Sequence, residues 1–246
     1  MFEYTAYDIS RIVGGTLDAG DGSVMMTHAA IDSRRAHAGA LFFALPGERS
    51  DGHDHVHRAE RAGARGAVIS RPLADDVLAA LGSHFALIRV ADTAGALSAL
   101  ATQHRRTMPA RVVGITGSAG KTTTKDMVAA VLSSAKFVAA TEGNMNNEIG
   151  LPLTLLKLEV GHEVAVVEMA MRGRGQIAAL AAVAAPDIGV ITNVGSAHLG
   201  ELGSIENIAA AKAELVKALP PDGTAVLNGD DPRVRAMAGL AGCRVL

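Results

Sequence analysis

The sequence predicts an α/β protein of two domains, the second of which carries a mostly parallel sheet. Short apolar runs alternate with segments of helical spacing along most of the 246 residues. These runs are apolar at consecutive positions, which is typical of strands buried on both faces of a parallel sheet. With 49% hydrophobic and 20% charged residues, the composition is that of a folded chain rather than a disordered one.

The first hundred residues contain fewer and shorter elements than the rest of the chain. Their pattern predicts strands at 41–45, 67–69 and 85–90, and helices at 53–62, at 74–81 and from an Asp92 cap to Gln103. The segment 107–110 then breaks the pattern, because Pro109 disfavours helix at its own position and at the residue before it. We therefore expect a small N-terminal α/β domain at 1–108 and a second domain at 111–246.

The second half alternates strand and helix regularly. Its apolar runs predict strands at 111–116, 137–140, 163–168, 187–193, 224–227 and 243–246, and helices at 122–133, 177–184 and 205–219. A run of this kind favours a mostly parallel sheet with helices on both faces.

Charge, cysteine content and apolar runs exclude several classes of protein. A net charge of -2 argues against a nucleic-acid-binding surface over the whole molecule. The lone Cys243 has no partner for an internal disulfide, which favours a reducing compartment. The start lacks a signal-peptide pattern, and the apolar stretch 177–194 is interrupted by Pro186 and Asp187. We expect a cytoplasmic protein that binds neither membrane nor nucleic acid.

The strongest local motif is a glycine-rich loop between a predicted strand and a predicted helix. It reads G-S-A-G-K-T-T-T from Gly117, the shorter form of the phosphate-binding motif. Glycines let backbone N–H groups converge on a phosphate, and the helix N-terminus adds its positive dipole end. The predicted ATP-binding residues of this loop are Gly117, Ser118, Ala119, Gly120, Lys121, Thr122 and Thr123. A chance glycine-rich turn is the alternative.

Two further polar residues follow predicted strands. Glu168 closes the strand EVAVVE, and His198 lies just beyond the strand DIGVITN. Ligands of parallel sheets gather at the carboxyl ends of the strands, where few protein groups plus phosphates hold Mg²⁺. Glu168 and His198 are therefore predicted metal ligands together with Thr122. A turn cap and a surface histidine are the alternatives.

These motifs and several others together resemble the Mur ligases, the ATP-dependent amide-forming enzymes of peptidoglycan precursor synthesis. The matching segments read GITGSAGKTTTKD, TEGNMNNEIGLPLTLL, EMAM with GQI, and NVGSAHLG, and in the first half DSR, LFFALPG and DGH. They occur in the family's order across essentially the whole chain. The resemblance is closest to the member that adds D-alanyl-D-alanine to UDP-N-acetylmuramoyl-tripeptide through an acyl phosphate.

The resemblance implies roles for individual residues and for partners. Lys121, Lys212 and His198 would be catalytic, with Lys212 carbamylated, and Thr122, Glu168 and His198 would hold magnesium. Asn147, Asn228 and Asp231 would join the loop in binding ATP. Ser33, Arg34 and Asp51 would hold the UDP end of the substrate. The alternatives are a solvated helix lysine for Lys212 and, for the last three residues, turn and cap residues of a small domain. Among Asn144, Asn146 and Asn147 we favour Asn147. ATP and Mg²⁺ are the implied cofactors, and the complete enzyme is expected to be a monomer. The family has three domains, and we expect the C-terminal one to be absent here. We therefore expect this chain alone to lack ligase activity.

Three other functions compete with this interpretation. The chain could be a phosphate-loop ATPase or kinase without ligase activity, which ADP formation independent of an amine acceptor would indicate. It could be another Mur ligase, such as a tripeptide synthetase. It could also be an inactive fragment that binds only ATP or a UDP-sugar.

Overall fold

The computed structural model describes residues 2–47 and 50–246, so Met1, Glu48 and Arg49 lie outside the described residues. The chain divides into two compact units, Met1–His104 and Arg105–Leu246. This division falls inside a helix, shortly before the segment 107–110 at which we expected a boundary. In the described part of the chain, no helix is long and apolar enough to cross a membrane.

In the residues that the structure describes, the first unit contains two sheets, short helices and most of one longer helix. Its strands are β1 (Tyr4–Thr5), β2 (Thr16–Ala19), β3 (Met25–Met26), β4 (His28–Ala30), β5 (Ala40–Phe43), β6 (Gly66–Ile69) and β7 (Ala86–Arg89). Its α-helices are α1 (Ala6–Ile12), α2 (Val56–Arg61), α3 (Asp75–Ala80) and α4 (Thr93–Thr107), and a 3₁₀ turn covers Gly52–His55. The expected helix over 53–62 is thus a 3₁₀ turn followed by α2, and α4 continues past Gln103.

The main sheet of this unit has the order β2-β7-β6-β5-β4. All its pairs are parallel except β2 with β7, and β1 pairs with β3 in a separate antiparallel ribbon. Every residue of β5 and β6 is buried, as their apolar runs require. Phe42, Val56 and Ile69 belong to the core on one face of this sheet.

The second unit is a parallel sheet with helices on both faces. Its strands are β8 (Arg111–Thr116), β9 (Val138–Ala140), β10 (Val164–Glu168), β11 (Ile188–Ile191), β12 (Thr224–Leu227) and β13 (Arg244–Val245). Its α-helices are α5 (Lys121–Ser133), α6 (Gly150–Leu155), α7 (Gln176–Ala184), α8 (Leu199–Leu202), α9 (Ile205–Lys217) and α10 (Pro232–Ala236), with a 3₁₀ turn at Met237–Leu240.

The order of the six strands is β13-β12-β11-β8-β10-β9, and every pair is parallel. One face of β8 carries Val113 and Ile115, which pack with residues of α5. Gly114 lies on the opposite face of β8. A Cβ added there would lie 3.4 Å from Leu215 of α9, so α9 packs against that face. The α/β class and the mostly parallel sheet are confirmed.

The topology fixes where a ligand site can form. The chain leaves β8 toward β9 on one side and later returns to β11 on the other side, so β8 is the switch point of the sheet. Crevices at the carboxyl ends of strands beside such a point are the usual binding sites of parallel sheets. The phosphate loop follows β8 at this point.

The strand expected at 187–193 is shorter than predicted. β11 ends at Ile191, although the Thr192 N–H still donates to the Thr116 carbonyl of β8 at 3.0 Å. Thr192 and Asn193 begin the connection to the next helix. Their side chains bond instead to the phosphate loop. The apolar pattern could not show where β11 ends, because threonine and asparagine are found both in the last positions of strands and in the loops that follow them.

Candidate active site at the carboxyl edge of the parallel sheet

The phosphate loop joins β8 to α5 through two glycines with unusual backbone angles. Gly117 has φ +156°, and an added Cβ there would collide with Thr192 Oγ1. Gly120 has φ +78° and precedes the first residue of α5, a left-handed conformation that costs other residues about 1–2 kcal/mol. Both positions therefore favour glycine for reasons that lie in the backbone.

The N-terminus of α5 is open toward the carboxyl edge of the sheet. The first bond of the helical type is donated by Thr124 N–H to the Gly120 carbonyl at 2.9 Å. The N–H groups of Lys121, Thr122 and Thr123 precede it and carry the positive end of the helix dipole. Lys121 Nζ donates to the Gly117 carbonyl at 3.0 Å, which brings its ammonium to the same loop. This arrangement suits a bound phosphate.

Glu168 is held by three bonds at the end of β10. The side chain of this glutamate is buried, and Thr122 Oγ1 donates to its Oε2 at 2.7 Å. Asn146 Nδ2 donates to its Oε1 at 2.8 Å. The Glu168 N–H donates to Thr141 Oγ1 at 3.0 Å, and Lys125 Nζ donates to the Thr141 carbonyl at 2.8 Å. The structure thus brings Thr122 and Glu168 together.

The pair formed by Thr122 and Glu168 has the chemistry of a magnesium site. Thr122 gives its hydroxyl hydrogen to the carboxylate, so the lone pairs of its oxygen face away from that bond and remain available to a cation. Hydroxyl and carboxylate oxygens are hard ligands, and Mg²⁺ needs few of them when phosphates complete its shell. The residues therefore fit a magnesium ion held with a nucleotide.

His198 is less clearly part of this cluster. It caps α8 with φ +68°, and its Nδ1 lies 3.9 Å from Glu201 Oε1. Among the described residues, no group of three or more His, Cys, Asp and Glu side chains lies close enough to hold a metal ion. The expected role of His198 beside Glu168 stays a prediction.

Lys212 is a buried lysine on α9. Only 2% of it is exposed, and no carboxylate pairs with it in the described part of the chain. Burial, followed by the positive charge of Lys121, lowers the pKa of its ammonium to about 8. A surface lysine would show neither feature. Because the positive charge of Lys121 lowers the pKa of Lys212, α9 and the start of α5 lie close enough for their charges to interact.

A short segment after β11, residues 192–195, lies against the phosphate loop; we call it the strap. Asn193 bonds both polar groups of the Ala119 backbone, accepting from its N–H at 2.9 Å and donating to its carbonyl at 3.1 Å. Ser118 N–H donates to the Asn193 carbonyl at 3.0 Å. The N–H groups of Ser118 and Ala119 are therefore engaged by the strap in this structure. Sequence reasoning gave Asn193 no role, although it ends a predicted strand and begins the family-matching segment NVGSAHLG.

Asn228 and Asp231 lie on the other side of the strap. Asn228 Nδ2 donates to the Thr192 carbonyl at 2.8 Å. Asp231 Oδ2 accepts from Val194 N–H at 2.8 Å, while its Oδ1 caps α10. Burial raises the pKa of Asp231, but the backbone N–H bonds outweigh that effect and lower it overall. Both predicted ATP-binding residues thus contact the loop that supports the phosphate site, and their contact with adenine stays a prediction.

The asparagines of the segment 144–147 have different partners. Asn147 Oδ1 accepts from Gly150 N–H at 2.9 Å and so stabilises the start of α6. Asn146, and not the favoured Asn147, reaches Glu168. The nucleotide contact expected of Asn147 stays a prediction, and the turn before α6 decides which of these side chains faces the sheet.

The predicted UDP-binding residues lie in the first unit at one edge of its sheet. Ser33 and Arg34 follow β4, and Asp51 follows the neighbouring parallel strand β5. Ser33 is buried, whereas the Arg34 guanidinium is 68% exposed and pairs with Asp32 at 2.7 Å. This exposed cation is available to an anionic ligand, and the roles of the three residues stay predictions.

Asp51 forms a compact network with neighbouring side chains. It accepts from the His53 ring at 2.6 Å and from Arg71 at 3.0 Å. His53 Nε2 accepts from the Ser70 backbone N–H at 2.9 Å. Although aspartate, histidine and serine adjoin here, the histidine lone pair is occupied by a backbone donor, so it cannot activate a serine nucleophile as in a hydrolase. The network indicates a structural role for Asp51.

Comparisons with known proteins agree with this geometry. Residues 26–105 match the model of the Mur ligase family catalytic domain, and residues 115–246 match that of the Mur ligase middle domain. The UDP-N-acetylmuramoyl-tripeptide--D-alanyl-D-alanine ligase of Mycobacterium tuberculosis strain ATCC 25618 / H37Rv is 45% identical over 100% of this chain and 52% of its own length. The protein of the same name from Bacillus subtilis strain 168 is 42% identical over 94% of this chain and 50% of its own.

Solved structures show the same likeness. A crystal structure of MurF from Acinetobacter baumannii covers 100% of this chain at 31% identity with a TM-score of 0.90, and 53% of that protein is matched. MurF from Thermotoga maritima in complex with ADP covers 90% of this chain at 35% identity with a TM-score of 0.79, matching 50% of that protein. The chain spans about half the length of these relatives. From the two family matches and the phosphate loop that they include, the chain belongs to the Mur ligase family.

Proposed function

We propose that this chain forms the substrate- and ATP-binding part of a ligase that joins D-alanyl-D-alanine to UDP-N-acetylmuramoyl-tripeptide. The observation that carries the proposal is the 45% identity, over the full chain, to a ligase of that name, together with the phosphate loop beside Glu168. We propose further that it acts in the cytoplasm as a monomer, with ATP and Mg²⁺ as cofactors.

The phosphate loop would bind the triphosphate of ATP. The free N–H groups at the start of α5 and the Lys121 ammonium would hold the β- and γ-phosphates, and Lys121 would exchange its bond to Gly117 for a phosphate oxygen. Thr122 and Glu168 would hold magnesium, which supplies electrostatic stabilisation of charge during phosphoryl transfer. Asn146 would keep Glu168 oriented toward that position.

The reaction would proceed in two transfers. A carboxylate oxygen of the tripeptide attacks the γ-phosphorus, the bond from that phosphorus to the ADP oxygen breaks, and an acyl phosphate forms. The amine of D-alanyl-D-alanine then attacks the acyl carbon, loses a proton, and expels inorganic phosphate. The protein contributes mainly by positioning and electrostatics, because a carboxylate becomes electrophilic only when its oxygen is made a leaving group.

Lys212 would act as a carbamate. Its amine adds to CO₂ and loses a proton, which converts a buried cation into an anion able to orient a metal-bound group. With a pKa of about 8, about a fifth of the amine is neutral at pH 7.4, against about 0.1% for an ordinary lysine. The neutral form is the one that reacts with CO₂, so burial favours this modification.

Release of ADP tests the proposed function. It is measured with each substrate withheld in turn, in a protein that joins this chain to the C-terminal domain that the family resemblance implies. A ligase releases ADP only when the tripeptide substrate is present and forms the amide product only with D-alanyl-D-alanine. ADP release without either substrate would support the alternative of a phosphate-loop ATPase. A requirement for a different amino acid as the amine would support another Mur ligase.

A further inference from the structure

Asn193 holds the phosphate loop by a bidentate bond to one residue. Its side-chain oxygen accepts from Ala119 N–H at 2.9 Å, and its side-chain nitrogen donates to the Ala119 carbonyl at 3.1 Å. The same carbonyl also accepts from Thr192 Oγ1 at 2.7 Å. Two donors of the strap thus fix the direction of a single carbonyl group.

That direction matters because the peptide bond is planar. The Ala119 carbonyl and the Gly120 N–H belong to one trans peptide unit and point in opposite directions. With the carbonyl held toward the strap, the Gly120 N–H points away from it, on the side of the open α5 N-terminus. If the unit rotated, a carbonyl oxygen would face a bound phosphate and repel it.

The strap is itself anchored on both sides. Toward the loop, Gly195 N–H donates to Ser118 Oγ at 2.8 Å. Away from the loop, Asn228 and Asp231 hold the backbone of Thr192 and Val194. Asn193 therefore lies in the middle of a hydrogen-bonded connection from α10 to the phosphate loop.

We propose that Asn193 is a positioning residue for nucleotide binding: it holds the Ala119–Gly120 peptide so that the Gly120 N–H faces the phosphates. The proposal rests on the proposed function, because it requires ATP at this loop. It adds a residue outside the glycine-rich motif, which acts on the nucleotide only through the loop backbone.

Asn193→Ala and Asn193→Asp test the proposal against Asn207→Ala. The aspartate is nearly isosteric and keeps the acceptor for Ala119 N–H, but it loses the donor and puts a negative charge beside the Ala119 carbonyl. Asn207 is the matched control, because its side chain also holds a backbone carbonyl, that of Leu202 at 2.7 Å, away from the loop. We expect both Asn193 variants to weaken MgATP binding at least tenfold by calorimetry, with the melting temperature within about 3 °C of the parent. Asn207→Ala should change the affinity less than twofold.

The amide resonance of Gly120 supplies a readout that a loss of stability would not move. In ¹⁵N-glycine-labelled protein, it should shift on addition of MgADP in the parent and fail to shift in Asn193→Asp. Unchanged ATP affinity in both variants, or a normal Gly120 shift in Asn193→Asp, would overturn the role of Asn193. If neither variant folds, fast hydrogen exchange of Ala119 N–H in the parent would overturn it, and slow exchange would support it. A parent protein that does not bind ATP would instead contradict the proposed function.

Discussion

At the scale of residues, the site joins cations and a carboxylate whose environments differ sharply. Lys121 is the half-buried first residue of α5, whereas Lys212 is buried on α9 with a pKa lowered to about 8. Glu168 has both of its oxygens bonded to neutral donors. In the proposed function, these differences assign phosphate binding to Lys121, cation binding to Glu168 and the reaction of a free amine to Lys212.

Lys212→Met is expected to stabilise the protein while removing the amine. In the folded state the pKa of about 8 lies below the ordinary 10.5, so the unfolded chain binds more protons between these pH values. The parent should therefore gain stability as pH rises from about 8 to 10.5, and it carries a buried charge below that range. Urea unfolding in CO₂-free buffer at pH 7 should show the variant more stable by about 1–3 kcal/mol. A variant less stable at pH 7 would contradict the assignment of a buried, unpaired ammonium.

Asn146→Ala should weaken Mg²⁺ binding at the nucleotide site, so that nucleotide binding requires a higher Mg²⁺ concentration. Without the amide, Glu168 Oε1 loses the donor that orients it, and loss of such supporting bonds costs about 10–100-fold in metal affinity. Titrating Mg²⁺ at fixed ATP should show a half-saturation at least tenfold higher. Asn144→Ala is the control, because that exposed side chain lies in the same loop. Equal shifts in both variants would argue against a specific role of Asn146.

The sequence indicated some of these residues better than others. Glu168 was identifiable because it is the acidic residue that closes an apolar run, and β10 ends at that residue as predicted. Asn146 was not distinguishable from Asn147, because the turn before α6 decides which side chain faces β10. Buried Lys212 was found only by family resemblance, since a lysine on an alanine-rich helix reads as a surface residue.

At the scale of elements, the loop after β8 is bonded to the strap after β11, while Glu168 at the end of β10 is bonded to the start of α5 and to the loop after β9. Polar side chains make these contacts. The strap is the clearest case. Its residues extend the apolar strand pattern in the sequence, yet they bond the phosphate loop, a long-range contact that local pattern does not encode. The glycine-rich motif predicted the phosphate loop correctly between β8 and α5, because its glycines adopt backbone conformations that other residues rarely adopt.

Asp231→Ala tests the connection between α10 and the strap. The change removes the cap of α10, which typically costs about 1 kcal/mol, and also the acceptor for Val194 N–H. We expect a total loss of about 1–3 kcal/mol in the free energy of unfolding. Asp230→Ala, at an exposed neighbouring position, should change it by less than 0.5 kcal/mol, as is typical of surface changes. Equal effects of the two changes would show that Asp231 is not the anchor.

At the scale of the whole molecule, each unit carries predicted site residues at one edge of its sheet. In the first unit they are expected to bind UDP, and in the second unit ATP. In the second unit, all six predicted strands are present, but α6, α8 and α10 were not predicted, because they are only four to six residues long. The first unit was predicted less completely. Its strands β1 to β4 are two to four residues long, so their apolar pattern is too short to detect. The antiparallel pairing of β2 with β7 was likewise not predictable.

Acid should unfold the first unit in a range set partly by Asp51. Burial raises the pKa of Asp51, but bonds from His53 and Arg71 outweigh it and lower the pKa to about 2, below the ordinary 3.8. The stability from this carboxylate is therefore present above about pH 4 and is lost as pH falls toward 2. Asp51→Asn should destabilise the protein at pH 6 more than at pH 2.5.

Tyrosine fluorescence can follow that transition in the first unit alone. The chain has two tyrosines, Tyr4 and Tyr7, and no tryptophan. Both tyrosines lie in the first unit. A variant that loses the same stability at both pH values would show that Asp51 contributes nothing through its charge.

The central claim is that the loop following β8 binds the phosphates of ATP through Lys121 and the start of α5. Calorimetric titration of MgATP into the 246-residue chain tests this most directly, with Lys121→Ala as the variant and Lys136→Ala as the control. Lys136 is an exposed lysine that pairs with Glu163. We predict saturable binding in the parent and in Lys136→Ala, and at least a 100-fold loss of affinity in Lys121→Ala. Equal affinity in Lys121→Ala, or no binding of MgATP by the parent, would contradict the account.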